Sequence, residues 1–273
     1  MKFFALTFAL TWAAWAAAAA IPARGGPLAA LRGAVFLLGV FAPALMALAL
    51  AARAEGRAAA WVLVGRIGRW RVGAGWYVFA LGYMIALKLA AAAVQRIVTG
   101  SWPRFGETPL VAMAGAILIS TWVQAGEEVG WRGYALPRLA KRFGLGGASL
   151  LLGIIWAVWH LPLFFSPETE SYGQSFPLYV LHVTALSVAM AWLYWRTGES
   201  LLLVMLMHAS VNNTSNIVPA AVPGASNPWS LDGSLVGWST VAVSWAGSAY
   251  FLLTMRGASL GTRTVTEDPA GDA

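Results

Sequence analysis

Residues 171–195 read SYGQSFPLYVLHVTALSVAMAWLYW, and after Arg196-Thr197-Gly198-Glu199 the chain resumes from residue 200 with SLLLVMLMHASVNNTSNIV. Neither stretch holds a charged residue, and each is near or above the roughly 18–20 residues that carry an apolar helix across a bilayer. Working outward, the same pattern recurs at 3–21, 33–52, 108–126, 143–167 and 233–255, with another run from 72 broken only by Lys88. Of the 273 residues 59% are hydrophobic and 11% charged, where a soluble domain carries about 25% charged residues. Too little polar sequence exists to cover a soluble globule. The sequence predicts an all-α polytopic membrane protein, a bundle of about eight transmembrane helices. The expected spans are 3–21, 33–52, 74–95, 109–131, 147–165, 176–195, 200–218 and 234–255, in a single domain over 1–255. A disordered cytoplasmic tail is expected over 256–273.

The first span follows Lys2 and ends in an alanine run, as a signal peptide would. It is longer than an h-region of about 7–15 residues and is read as retained. The net charge of +7 suggests nucleic acid at first sight. The basic residues, however, sit in short loops between apolar runs, so no nucleic-acid partner is expected. With an even number of spans, thirteen of the eighteen Lys and Arg residues fall on the side of the termini and four on the other, Lys88 lying within span three. Both termini are therefore expected in the cytoplasm. The absence of cysteine excludes disulfides, thiolate nucleophiles and Cys-based metal sites. Fifteen tryptophans suit the membrane–water boundary, and none is expected to act in a site.

An ionisable residue inside a bilayer costs about 2.5–3.5 kcal/mol on insertion scales and marks a site by default. Nine of the eleven acidic residues lie in loops or the tail; the exceptions, Glu127 and Glu128, stand in TWVQAGEEVGWRGYALPRL, residues 121–139. All three histidines, His160, His182 and His208, fall in apolar runs. At 1.5 Å per residue, Glu127 would lie roughly 16 Å deep, His160 about 21 Å and His208 about 14 Å, all in the middle of the membrane. His208 and Asn212 are one turn apart on one face, as are Glu128 and Arg132, which favours an internal ion pair.

This set suits hydrolysis. Glu127 can activate a water, His160 can orient it or shuttle its proton, and His208 with Asn212 can donate to the oxyanion of a tetrahedral intermediate. Glu127, His160 and His208 with a water would also suffice for a zinc-type site, so a divalent metal is an open alternative to a carboxylate-activated water. His182, Asn213 and Asn216 are read as structural, Lys88 as a snorkelling side chain, and Gly126, Gly130 and Gly133 as positions of close helix packing.

The order Glu127-Glu128-x-x-x-Arg132, Trp156-x-x-x-His160 and His208-x-x-x-Asn212 resembles the CPBP family of intramembrane proteases. That family includes the type II CAAX prenyl endopeptidases and the bacterial Abi, or bacteriocin-immunity, proteins. The resemblance covers about residues 107–218. It implies an eight-helix core with a hydrolytic site opening towards the cytoplasm. In it Glu127 is the base, His160 its partner, His208 and Asn212 the oxyanion donors, and Glu128 and Arg132 the support. Trp156 stands where the family usually has Phe, which touches pocket shape rather than catalysis. The implied substrate is a membrane-associated or lipidated, CAAX-like peptide, in the inner or plasma membrane of a bacterium whose GC-rich genome would give this Ala-, Gly-, Arg- and Trp-rich chain.

Other intramembrane hydrolases are excluded by absence: no GxSG lies in a span, no histidine begins HExxH, and the only Asp outside the tail is Asp232, in a loop. A non-catalytic immunity or binding protein of the same family remains the alternative, and a proton-coupled transporter a weaker one, since no internal repeat is present.

Overall fold

The computed structural model describes residues 2–22, 25–222 and 227–260. Of the expected tail only 256–260 is described; 261–273, with Arg263, and Arg24 in the first loop lie outside the described residues. Among the described residues every regular element is helical: α1 (Lys2–Ala20), α2 (Pro27–Glu55), α3 (Arg57–Gly65), α4 (Ala74–Thr99), α5 (Leu110–Val123), α6 (Ala125–Glu128), α7 (Leu136–Trp159), α8 (Phe176–Arg196), α9 (Leu201–Thr214) and α10 (Leu235–Thr254). Five helical stretches are long and apolar enough to cross a membrane: α1, α2, α4, the run Leu110–Phe165 and α8. The protein is a polytopic membrane bundle.

Two helices define inside and outside. On α9, Leu203, Val204, Met205, Met207 and Ala209 are all fully buried, so this helix, apolar on every side, forms the centre of the bundle. On α5, by contrast, Val111 is 86% and Ile119 74% exposed, an apolar surface that suits lipid. α9 is shorter than the 200–218 span expected of it: the helix ends at Thr214 and a single 3-10 turn follows to Ile217. Fourteen residues reach about 21 Å, short of a full crossing, which its central position tolerates.

The segment 109–135, expected as one plain span and its exit, is broken. α5 stops at Val123, α6 restarts after a turn at Gln124, and Val129–Ala135 winds as a π-helix before α7. α7 itself reverses at Gly144, whose φ of 67° and ψ of 166° favour glycine. So the connection expected between spans four and five is helical apart from that one residue. Small residues set the packing here. A Cβ on Gly130 would lie 2.5 Å from Pro43 Cβ and 2.6 Å from Pro43 O, and one on Gly126 would meet Phe41 at 2.9 Å, so α2 lies directly against α6 and the π-turn. Gly133 makes only ordinary contact there, nearest Leu201 at 3.4 Å.

Candidate active site

Glu127 and Glu128 sit at the join of α6 and the π-turn, buried at 6% and 0% exposure. Single π-turns inside helices occur often at functional sites, because the extra residue per turn re-aims side chains. Here it stacks Trp131 and Arg132 under the two carboxylates. The Trp131 indole N–H donates to Glu127 Oε2 at 3.3 Å, and the Trp156 indole N–H from α7 donates to the same oxygen at 2.7 Å. Glu127 Oε1 carries no protein partner among the described residues, which leaves it to a water.

Glu128 is held differently. Arg132 Nη1 donates to both of its oxygens, at 3.0 and 3.1 Å, and His208 Nδ1 bonds its Oε1 at 2.8 Å. The guanidinium of Arg132 lies 4.4 Å from the ring of Trp156, and its Nε and Nη2 have no hydrogen-bond partner. The i, i+4 pair foreseen in the sequence is thus a buried triad, with His208 as its third member.

The histidines are fixed through one nitrogen each. His160 caps the C-terminal end of α7 and bonds the carbonyl of Trp156 through Nδ1 at 2.9 Å. A carbonyl only accepts, so Nδ1 carries the proton and Nε2 of the neutral ring is an acceptor. His208 has Nδ1 on a carboxylate; its neutral ring accepts at Nε2 and its protonated ring donates there. Trp156 joins the groups. Its ring is 5.8 Å from His160 and 5.1 Å from His208, both edge to face, and its N–H is on Glu127. The structure therefore brings Glu127, Glu128, Arg132, His160 and His208 around one indole. Asn212, one turn beyond His208 on α9, is exposed, while Asn213 donates to Ser120 Oγ and Ala209 O, each at 2.8 Å.

Three tryptophans correct the expectation that none would act in a site. Trp131 and Trp156 ligate the candidate base, and Trp159 packs 4.7 Å edge to face on His160. Tyr179 on α8 was also missed; its ring lies 5.6 Å from that of His160 and within electrostatic range of Glu127. No motif spacing pointed to it. Outside this cluster, the buried Nδ1 of His182 has no hydrogen-bond partner among the described residues. Lys88 does not snorkel to a boundary and is 5% exposed inside the bundle.

Among the described residues, no three His, Asp or Glu side chains gather closely enough to hold a metal ion. The bonds to the indoles, Trp156 O and Glu128 leave Glu127 Oε1 and the Nε2 atoms of His160 and His208 open, so it is the spacing of these groups, not their hydrogen bonding, that decides the fit. As arranged, the donor set does not fit a three-ligand metal centre.

Comparison with known proteins converges on the same segment. Residues 108–214 match the family model described as type II CAAX prenyl endopeptidase Rce1-like. Over 92 residues the chain is 35% identical to CAAX prenyl protease 2 of Methanococcus maripaludis, an alignment covering 32% of this chain and 34% of that protein. The chain thus matches about a third of the length of this curated relative. The matched segment, residues 108–214, holds all six residues singled out for the site, so the likeness to the Rce1-like model falls on the candidate active site itself.

Proposed function

We propose that the protein is an intramembrane endopeptidase that cleaves a membrane-associated or lipidated, CAAX-like peptide. The observation that carries the reading is the asymmetry of Glu127: two indole N–H groups fix one oxygen and the other is free. A water held between Glu127 Oε1 and His160 Nε2 attacks the scissile carbonyl carbon as Glu127 takes its proton. In this reading the oxyanion accepts from Nε2–H of His208, whose ring the Glu128 carboxylate supports and Arg132 keeps in place through that carboxylate, and Asn212 supplies the second donor. Collapse of the intermediate breaks the C–N bond, and Glu127 returns the proton to the leaving amine. No step passes through a metal. Both termini face the cytoplasm in this reading, on the asymmetry of basic residues.

The test is cleavage of a quenched panel of prenylated and lipid-anchored peptides by purified protein, the parent against Glu127→Gln, each with and without chelator. A fall of about 10²–10⁴-fold in the mutant with full activity in chelator is the expected result. Loss in chelator with recovery on added zinc would replace the carboxylate-activated water by a metal-bound one. No cleavage by the parent would favour an immunity or binding role without turnover.

A further inference from the structure

The π-turn that follows the two glutamates runs into a proline, and the consequence reaches across the bundle. In an α-helix the carbonyl of Gly133 would accept from the N–H of residue 137, and Pro137 has none. The proline ring also crowds the carbonyl four residues before it. Gly133 is buried, and a buried carbonyl short of a donor is costly, so a donor from outside the turn is favoured. Arg66 supplies one. From the 3-10 turn after α3, its Nη1 donates to Gly133 O at 3.1 Å. On one side Gly133 borders a cavity of about 620 Å³, which Arg66 also lines, so packing alone does not hold this end of the turn.

The same guanidinium is anchored in the other direction. Nη1 also donates to the hydroxyl of Tyr194, on the last turn of α8, at 2.8 Å, and Nη2 pairs with Glu199 at 3.2 Å. Glu199 is 8% exposed, in the loop between α8 and α9, with a φ of 65°, the one positive φ outside glycine among the described residues. Such a conformation is strained for glutamate and persists where the surroundings fix it. Here Glu199 N donates to Tyr194 O at 2.7 Å, and its carboxylate meets Arg66 and Arg69. The next residue, Ser200, caps α9 by accepting from Leu203 N at 3.3 Å and donates to Arg69 O at 2.6 Å.

Arg66 therefore ties the end of the π-turn to the start of α9. The same two parts of the chain are joined again inside the site, where His208 of α9 bonds Glu128 at 2.8 Å. His208 stands about 12 Å along α9 from Ser200, so a shift at the outer tie is carried to the inner one by a rigid helix. We propose that Arg66 is a positioning residue: by holding Gly133 O and Glu199 together it sets where His208 stands against Glu128. It reaches no reacting atom, and it lies far in sequence from the three motifs of the site. The assignment rests on the endopeptidase reading and adds this residue to it.

The experiment compares the parent with Arg66→Met/Glu199→Gln, a double variant that removes both charges of the pair and leaves no carboxylate unpaired. Cleavage kinetics are read on the best peptide of the panel, and amide hydrogen exchange is read on the same proteins in detergent. In the variant kcat should fall roughly ten- to a hundredfold with KM unchanged, the cost of misplacing catalytic groups by a fraction of their spacing. Exchange should rise over 125–138 and the first turns of α9 and stay at the parent level in α1, α4 and α10. An unchanged kcat, or a loss that appears in KM, overturns the proposal. So does exchange that stays at the parent level everywhere, or that rises throughout the bundle and makes Arg66 a general support of the fold. If the parent cleaves no peptide the endopeptidase reading falls. A local rise in exchange would then keep the tie between π-turn and α9 standing without it, and a parent-like pattern would sink both.

Discussion

Two groups of charge are buried in this bundle, and they are built in opposite ways. Around Trp156 every ionisable side chain has a partner: Glu128 bridges Arg132 and His208, two indoles hold Glu127, and a backbone carbonyl holds His160. Around Lys88 no ion pair or hydrogen bond holds the cation among the described residues, and the neighbouring His182 leaves Nδ1 unbonded. In the first group each charged side chain is paired within the fold, although Nε and Nη2 of Arg132 stay unbonded, so its geometry is set before a substrate arrives, as electrostatic catalysis requires. The second leaves an intramembrane ammonium and an imidazole nitrogen unpaired, so the two groups differ in what removing a charge does to the fold.

The largest expected effect tests the completed group. Arg132→Met removes the guanidinium paired with Glu128, which is fully buried and would be left with His208 among the described residues. Breaking one side of a buried pair costs about 3–5 kcal/mol, so thermal unfolding in detergent should fall steeply. A neutral result would show that the triad contributes nothing to the fold. A smaller effect is expected from Trp156→Phe. It keeps an aromatic ring under the guanidinium but loses the 2.7 Å bond to Glu127. Trp131 still donates to the same oxygen, so the loss should sit near the lower end for a hydrogen bond to a charged group, about 1.5 kcal/mol. That is about a tenfold drop in kcat/KM, read on the best peptide of the panel.

The partnered group was largely legible in the sequence, because charge in an apolar run is rare and each instance can be weighed. Glu127, Glu128, Arg132, His160 and His208 were all named from that rule and from helical spacing. Trp131 was not, and Trp156 was named only as the aromatic of the second motif and not as a donor to Glu127, for a physical reason: an indole suits the bilayer boundary, and Trp61 and Trp122, at 72% and 63% exposure, fit that surface role. Only coordinates separate such an indole from one whose N–H is on a carboxylate. The π-turn at Val129–Ala135 was also invisible, since apolar periodicity does not distinguish it from an α-helix interrupted by glycines. Lys88 was seen but misjudged. A long side chain near a helix centre usually reaches for the boundary, and nothing in its own helix shows that α8 and α10 leave a cavity beside it.

The smallest effect discriminates best between the two groups. Lys88→Met replaces an intramembrane cation by an apolar chain of similar length, as Arg132→Met does, and the comparison predicts opposite signs. With no anion to leave behind, removing Lys88 takes away a desolvated charge, and the protein should gain about 1 kcal/mol in stability. If Lys88→Met instead destabilises the protein as Arg132→Met does, Lys88 is a structural cation like Arg132, and the distinction between a paired and an unpaired buried charge collapses.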